Sequence, residues 1–308
     1  MTCTIKDFSL ISRFDGTRLY GLCVAPEQPV AILQLAHGMA EHKERYLPFM
    51  QYLAERGFAC FLHDHRGHGQ SVERPEKLGW FGADGAQGLV RDLRQMVDYA
   101  KSRFPGLPLY LFGHSMGSLA VRCYLREHEE TLNGLIVCGT PARNPAAGPG
   151  VALCRVMGKV KGWEYRSPLL QGMTTGPFDK PFAAEKLENS WLTRDVEVVK
   201  AYNADPLCGY AFTVNGYLAL MELMRDAYDP GQAKNPRLPV HFLSGEQDPC
   251  HGGRVKFLDA VDDLRKHGWH EITWKLYPEM RHEVLNELGK EQVMADLADT
   301  LLGWLKKR

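Results

Sequence analysis

Three residues far apart in this 308-residue chain, Ser115, Asp248 and His282, could together perform nucleophilic acyl transfer. Ser115 lies in Gly113-His114-Ser115-Met116-Gly117, the G-x-S-x-G spacing of a nucleophile elbow. The apolar run Leu109-Tyr110-Leu111-Phe112 leads into it, and a helical pattern through Ala120, Val121, Tyr124 and Leu125 leads out. A serine hydroxyl is a weak nucleophile. It needs an exposed seat on a tight turn, a neighbouring base and backbone N–H donors for the charge that develops. The flanking glycines leave room for such a turn. An incidental serine in an ordinary strand-to-helix turn would fit the same five residues, so the partners decide.

A strand–elbow–helix unit of this kind calls for an acid and then a histidine, on loops leaving the carboxyl ends of later strands. The strand-like run 239–244 leads into Ser244-Gly245-Glu246-Gln247-Asp248-Pro249-Cys250, and the run 271–277 into Tyr277-Pro278-Glu279-Met280-Arg281-His282-Glu283. Asp248 is read as the acid, with Glu246 as its rival closer to the strand end. The loop Gly139-Thr140-Pro141-Ala142-Arg143 offers no carboxylate. His282 alone follows the last strand directly; His267 and His270 precede that strand and are expected at the surface. The residue after the nucleophile supplies one oxyanion donor, the Met116 N–H. The loop after the third strand supplies the other, the Met39 N–H following His37-Gly38. Cys250 is expected near the pocket, where bulky thiol reagents would slow the reaction.

The elements that must position these groups follow from periodicity. Runs 4–11 and 17–25 read as edge strands joined by an Asp15-Gly16 turn. Buried strands are expected at 30–36, 58–62, 109–112 and 132–138, with helices at 45–56, 87–104 and after the elbow. This alternation predicts a mostly parallel sheet with helices on both faces. From about 141 to 210 the strand pattern stops, although a short helix fits 150–160. This stretch reads as an insertion after the sixth strand of a single domain spanning 1–308, too small for a core of its own. Alternation resumes with a helix near 215–227, a strand at 239–244, a helix at 254–267, a strand at 271–277 and a helix at 290–306.

Thirty-seven basic and thirty-seven acidic residues cancel, so no global field draws a polyanion and nucleic acid is not an expected partner. Eight cysteines without a C-x-x-C pair point to reduced, structural thiols and a cytoplasmic protein. The amino terminus lacks a basic and apolar leader pattern, and no run approaches the roughly 18 apolar residues of a membrane span. His63-Asp64-His65-Arg66-Gly67-His68 superficially suggests a metal cluster, but no further ligands are spaced for one. It reads as a hydrogen-bonded structural loop. Neither a phosphate loop nor a dinucleotide fingerprint is present. No metal or other cofactor is expected.

Several blocks together resemble the serine hydrolases of the α/β-hydrolase fold, in particular the monoacylglycerol lipase and lysophospholipase-like group. They are His37-Gly38-Met39-Ala40-Glu41-His42 with Arg45-Tyr46, Asp64-His65-Arg66-Gly67-His68-Gly69-Gln70-Ser71, the elbow, Tyr202-Asn203-Ala204-Asp205-Pro206-Leu207, and the Asp248 and His282 loops. The resemblance implies hydrolysis of an ester joining one long acyl chain to a small polar alcohol. Glu41, Arg45 and His114 would line the pocket for the glycerol-like head. The insertion would be a cap receiving the acyl chain and touching membranes or micelles transiently. Ser118 stands where the family often has a second glycine, and the cap matches least. Monoacylglycerol, lysophospholipid and simple ester thus stay open as substrates. A short-chain esterase, thioesterase or perhydrolase with the same triad is the alternative, and a non-catalytic ligand receptor is a third reading.

Overall fold

A computed structural model describes residues 3–307. Eight strands form one sheet: β1 Cys3–Ile11, β2 Arg18–Pro26, β3 Ala31–Ala36, β4 Phe58–His63, β5 Leu109–His114, β6 Gly134–Cys138, β7 Val240–Gly245 and β8 Ile272–Tyr277. Their order is β1-β2-β4-β3-β5-β6-β7-β8. β1 and β2 pair antiparallel, as does β2 with β4, and the remaining pairs are parallel. The chain runs from β3 out to β4 and returns on the other side of β3 to form β5. The strand order therefore reverses between β3 and β5, where open α/β sheets place their ligands.

Side-chain alternation along each central strand feeds two cores. Leu33, Leu35, Tyr110 and Phe112 face one side, packed with Phe49, Met50 and Leu53 of α1 (Leu47–Ala54) and Val293, Leu297 and Leu301 of α9 (Lys290–Lys306). Ile32, Ala36, Leu109 and Leu111 face the other. They meet Leu93 and Val97 of α2 (Gly85–Arg103), Val121 and Tyr124 of α3 (Met116–His128), and Val261 and Leu264 of α8 (Arg254–Lys266). Phe112 and Leu111 are fully buried, which stabilises the fold by about 1.5–3 kcal/mol per side chain.

Between β6 and β7 the chain forms α4 Ala147–Lys161, α5 Pro168–Thr174, a 3-10 helix Lys180–Glu185, α6 Val196–Ala204 and α7 Val214–Asp226. The expected short helix at 150–160 is longer at both ends, and α5 and α6 were not marked by apolar periodicity. Local chemistry starts them. The Ser167 hydroxyl accepts from the Leu170 N–H at α5, the Asp195 carboxylate from the Glu197 and Val198 N–H groups at α6, and the Thr213 hydroxyl from the Gly216 N–H at α7. Such caps satisfy helix N–H groups that have no partner within the helix. α7 packs on α4 and on α2 and α3, which seats the insertion over the carboxyl edge of the sheet. Among the described residues no disulfide forms. Among the described residues no helix is long and apolar enough to cross a membrane.

Two glycines give opposite predictions. A Cβ on Gly117 would lie 2.2 Å from the Ala36 carbonyl oxygen and 2.5 Å from that of His37. Gly117→Ala is expected to destabilise by about 2–3 kcal/mol in urea unfolding, because backbone cannot move aside. Gly303 in α9 has nothing within 4 Å of its Cβ position, so Gly303→Ala should stabilise by about 0.5–1 kcal/mol.

Candidate active site

Ser115 sits between β5 and α3 with φ 52° and ψ −118°, a left-handed conformation that costs a non-glycine residue about 1–3 kcal/mol. The neighbours hold it there. Its N–H donates to the Cys138 carbonyl at 3.0 Å, extending the β5–β6 ladder, and its carbonyl accepts from the Ser118 hydroxyl at 2.5 Å. A Cβ on Gly113 would be 2.4 Å from the Gly117 carbonyl oxygen, so both glycines of the motif are required by close approach. Ser118, where the resembling family often has glycine, thus bonds the backbone of Ser115 itself.

Asp248 and His282 come together at the same edge. The His282 Nδ1 lies 2.9 Å from Asp248 Oδ2, which also accepts from the Ser244 hydroxyl at 2.7 Å, while Oδ1 accepts from the Cys250 N–H at 2.8 Å. Both residues are 2% exposed. Burial pushes the Asp248 carboxyl up, but the facing imidazole and its hydrogen bonds outweigh that and hold it below the usual carboxylate value. Burial likewise depresses His282, and the Asp248 carboxylate overrides it, holding the imidazole above its ordinary value. With Nδ1 committed to Asp248, Nε2 is the nitrogen left for a proton from serine. Glu246, the rival acid, is exposed. His270 is exposed and His267 half-buried.

Ser115 and His282 line one cavity of about 670 Å³. The Ser115 hydroxyl makes no hydrogen bond among the described residues; in free enzymes this contact is often long and tightens on substrate binding. Met39 and Met116 also line the cavity. Met116 opens α3, where backbone N–H groups have no partner within the helix and the dipole favours negative charge. The Met39 loop is fixed by its flanks. The His37 Nδ1 lies 2.8 Å from the Gly38 carbonyl, and its Nε2 accepts from the His65 N–H at 2.9 Å. The Gly38 N–H donates to Glu41 Oε1 at 2.5 Å. The Ala40 carbonyl accepts from the Gly209 N–H and the Tyr202 hydroxyl.

Glu41 and His114 lie on the cavity wall, but Arg45 lies behind it. The difference has a physical cause: the guanidinium is held between two buried carboxylates. Arg45 donates to Glu41 at 2.6 Å and, through both terminal nitrogens, to Glu283 at 2.7 and 2.6 Å. Burial and the nearby His282 charge lower His114 to about 3, so that ring is neutral. Cys250 lines the cavity, with burial raising its thiol well above the ordinary value. The tertiary contacts of four residues here escaped sequence reasoning. Arg281 bonds Glu185 and the Ser190 carbonyl, the Trp191 carbonyl accepts from the His282 N–H, Glu283 holds Arg45, and Tyr202 braces Ala40. Their partners are tens to hundreds of residues away, so no local spacing marks them.

The family described as Hydrolase_4, serine aminopeptidase S33, matches residues 27–289. The chain belongs to that family. It is 30% identical over 298 residues to a monoacylglycerol lipase of Mycolicibacterium smegmatis, covering 94% of this chain and 95% of that protein. It is 27% identical over 296 residues to the monoglyceride lipase of Homo sapiens, covering 92% and 89%. In fold it is similar to a thermostable carboxyl esterase from Bacillus coagulans solved in complex with glycerol, with TM-score 0.90, 24% identity and coverage of 98% and 99%. The sheet and its helices are thus those of an α/β-hydrolase, and the protein is a hydrolase by family.

The histidine-rich loop is a buried cluster of tilted and edge-on rings beside the Met39 loop. His37 and His65 centroids are 4.2 Å apart, His63 and His65 5.0 Å, and His37 and His68 5.2 Å. Asp64 accepts from the Lys43 ammonium and the Gln70 N–H. Burial lowers all four histidines from 6.5, His63 to about 3 and His68 to about 4, with His37 and His65 depressed further by their neighbours' charge. The unfolded chain therefore takes up these protons first as the pH falls below about 6.5. Stability contributed by the neutral cluster is complete above that pH and is lost as pH falls toward 4 and 3. Urea unfolding between pH 7 and 5 should show a loss exceeding about 1.4 kcal/mol per pH unit, more than one proton's worth. A flat profile would contradict neutral burial of the cluster.

Proposed function

We propose that this protein is a serine carboxylic-ester hydrolase of lipid-like substrates, monoacylglycerols or lysophospholipids, acting through an acyl-enzyme on Ser115. The observation that carries the reading is that His282, bonded behind the wall to Asp248, lines the same cavity as a serine held at φ 52° on an elbow. In the first half-reaction Ser115 Oγ attacks the ester carbonyl while its proton passes to His282 Nε2. The tetrahedral oxyanion is received by the Met39 and Met116 N–H groups. Asp248 holds the imidazole in orientation and stabilises its charged form. His282 then gives the proton to the departing alcohol, and water, activated by the same imidazole, releases the acid.

The apolar wall formed by Met173, Phe178, Leu220, Met221 and Met224 supports a long acyl chain. Eight buried methylenes would contribute at most about 6 kcal/mol. The insertion from about 141 to 210 acts as the cap of a single catalytic domain. Its outer surface supports transient membrane or micelle contact. Val156, Val160 and Leu169 are 61%, 73% and 56% exposed, and Arg155, Lys159 and Lys161 stand on the same helix as the two valines. The likeness to a carboxyl esterase favours one second reading, a short-chain esterase or thioesterase with the same triad.

Ser115→Ala is expected to lower kcat by roughly 10⁴–10⁶-fold with an unchanged unfolding curve. An acyl-length series of glycerol esters separates the two readings: rates rising beyond eight carbons support the lipid enzyme, and a maximum at two to four carbons contradicts it. The raised His282 value sets the pH profile. The base must be neutral, so kcat/KM is complete at alkaline pH and falls as pH drops through a value above 6.5. Asp248→Asn, which removes the carboxylate, should shift that limb downward and cost about 10⁴-fold in kcat. An unshifted limb would contradict the pairing.

A further inference from the structure

We propose that Glu283 makes the alcohol subsite selective for uncharged polyol heads and closed to anionic phosphate heads, a refinement that rests on the esterase reading above. The alcohol must leave beside His282, which gives it a proton. The polar groups on that stretch of wall are His114, whose ring centroid lies 4.7 Å from that of His282, and the carboxyls of Glu41 and Glu283. Every hydrogen bond to these two carboxyls comes from a donor: the Gly38 N–H, the Tyr46 hydroxyl and Arg45 at Glu41, and Arg45 and the Asn286 amide at Glu283. That is the pattern of two carboxylate acceptors; against burial, Arg45 holds Glu283 down to about 2, while burial and the Glu283 charge push Glu41 up from its ordinary value. One guanidinium serves both, so the cluster carries a net negative charge. Both terminal nitrogens of Arg45 are already bonded and the side chain is off the wall, so it is not free to receive a phosphate. The wider cavity adds to the effect. Its described lining carries the carboxylates Glu41, Asp179, Glu188 and Glu283 against Arg143 and Lys256, and Arg143 is already paired with Asp259 and Asp263. A phosphate monoester, itself close to doubly negative, would meet like charge at a site shielded from water. Hydroxyl groups can instead donate to the same carboxylates.

The test compares three esters of one acyl chain: palmitoylglycerol, palmitoylcholine and palmitoyl lysophosphatidate. In the parent protein, kcat/KM for the neutral and cationic heads should exceed that for lysophosphatidate by about 30-fold or more. Glu283→Gln keeps the shape and removes the charge, so it should narrow that ratio about tenfold even if all rates fall. A parent that takes lysophosphatidate within about threefold of palmitoylglycerol overturns the proposal. So does a Glu283→Gln ratio equal to the parent's. The head-group series on the parent alone decides the matter if the variant does not fold. A parent active on palmitoylglycerol yet indifferent to charge defeats only this subsite assignment. A parent inactive on all three defeats the esterase reading with it.

Discussion

The site is built around the tight approach of the α3 amino terminus to the end of β3, where Gly117 leaves no room for even one methyl group against the Ala36 and His37 carbonyls. Under the proposed mechanism, the placement of Ser115 and of the proposed oxyanion donors depends on that contact. It brings the first turn of α3, with its unpaired N–H groups, beside the loop that carries Met39, so donors from two separate connections can face one point. It also forces the chain to turn sharply out of β5, which is why Ser115 is held in a conformation a serine would otherwise avoid. The strain is local, and the parallel pairing of β3 with β5 stabilises the frame that imposes it.

The histidine side of the site is held by long-range charge. Arg281 bonds into the insertion at Glu185 and Ser190, Glu283 bonds across to Arg45 and thence to Glu41, and His282 lies between them. The backbone N–H groups of His282 and Glu283 also donate to the Trp191 and Leu192 carbonyls. The imidazole is thus tied both to the helical insertion and, through Glu283, Arg45 and Glu41, to the loop that carries Met39. Movement of the insertion would be felt at His282 through direct bonds. Buried charge pairs of this kind add little net stability, but losing one partner leaves an uncompensated charge, which favours a single geometry for the loop.

Much of this was legible before any coordinates. The strand–helix alternation follows from short apolar runs separated by glycine and proline, and each strand lies within about two residues of its expected limits. Ser115, Asp248 and His282 could be picked out because a local motif fixed the first and chain order fixed the search for the others. Asp248 could be preferred to Glu246 only weakly, since both sit on one loop; a single hydrogen bond to His282 distinguishes them. The helices α5 and α6 were hidden because they are short and begin with polar caps rather than an apolar stripe. Arg45 was misplaced for a related reason. A motif shows that an arginine follows Glu41 by four residues, but not that Glu283, 238 residues away, draws its guanidinium off the pocket wall. Pairings set by the tertiary fold leave no periodic trace.

Covalent capture by an alkyl fluorophosphonate tests the central claim most directly, because the reagent displaces fluoride only onto an activated nucleophile. A single adduct is expected per chain, mapped by peptide mass spectrometry to Ser115, and it should disappear when a slow ester substrate occupies the site. Labelling at another residue, or none at reagent concentrations that modify known serine esterases, would contradict the assignment of Ser115 as the group that attacks the ester.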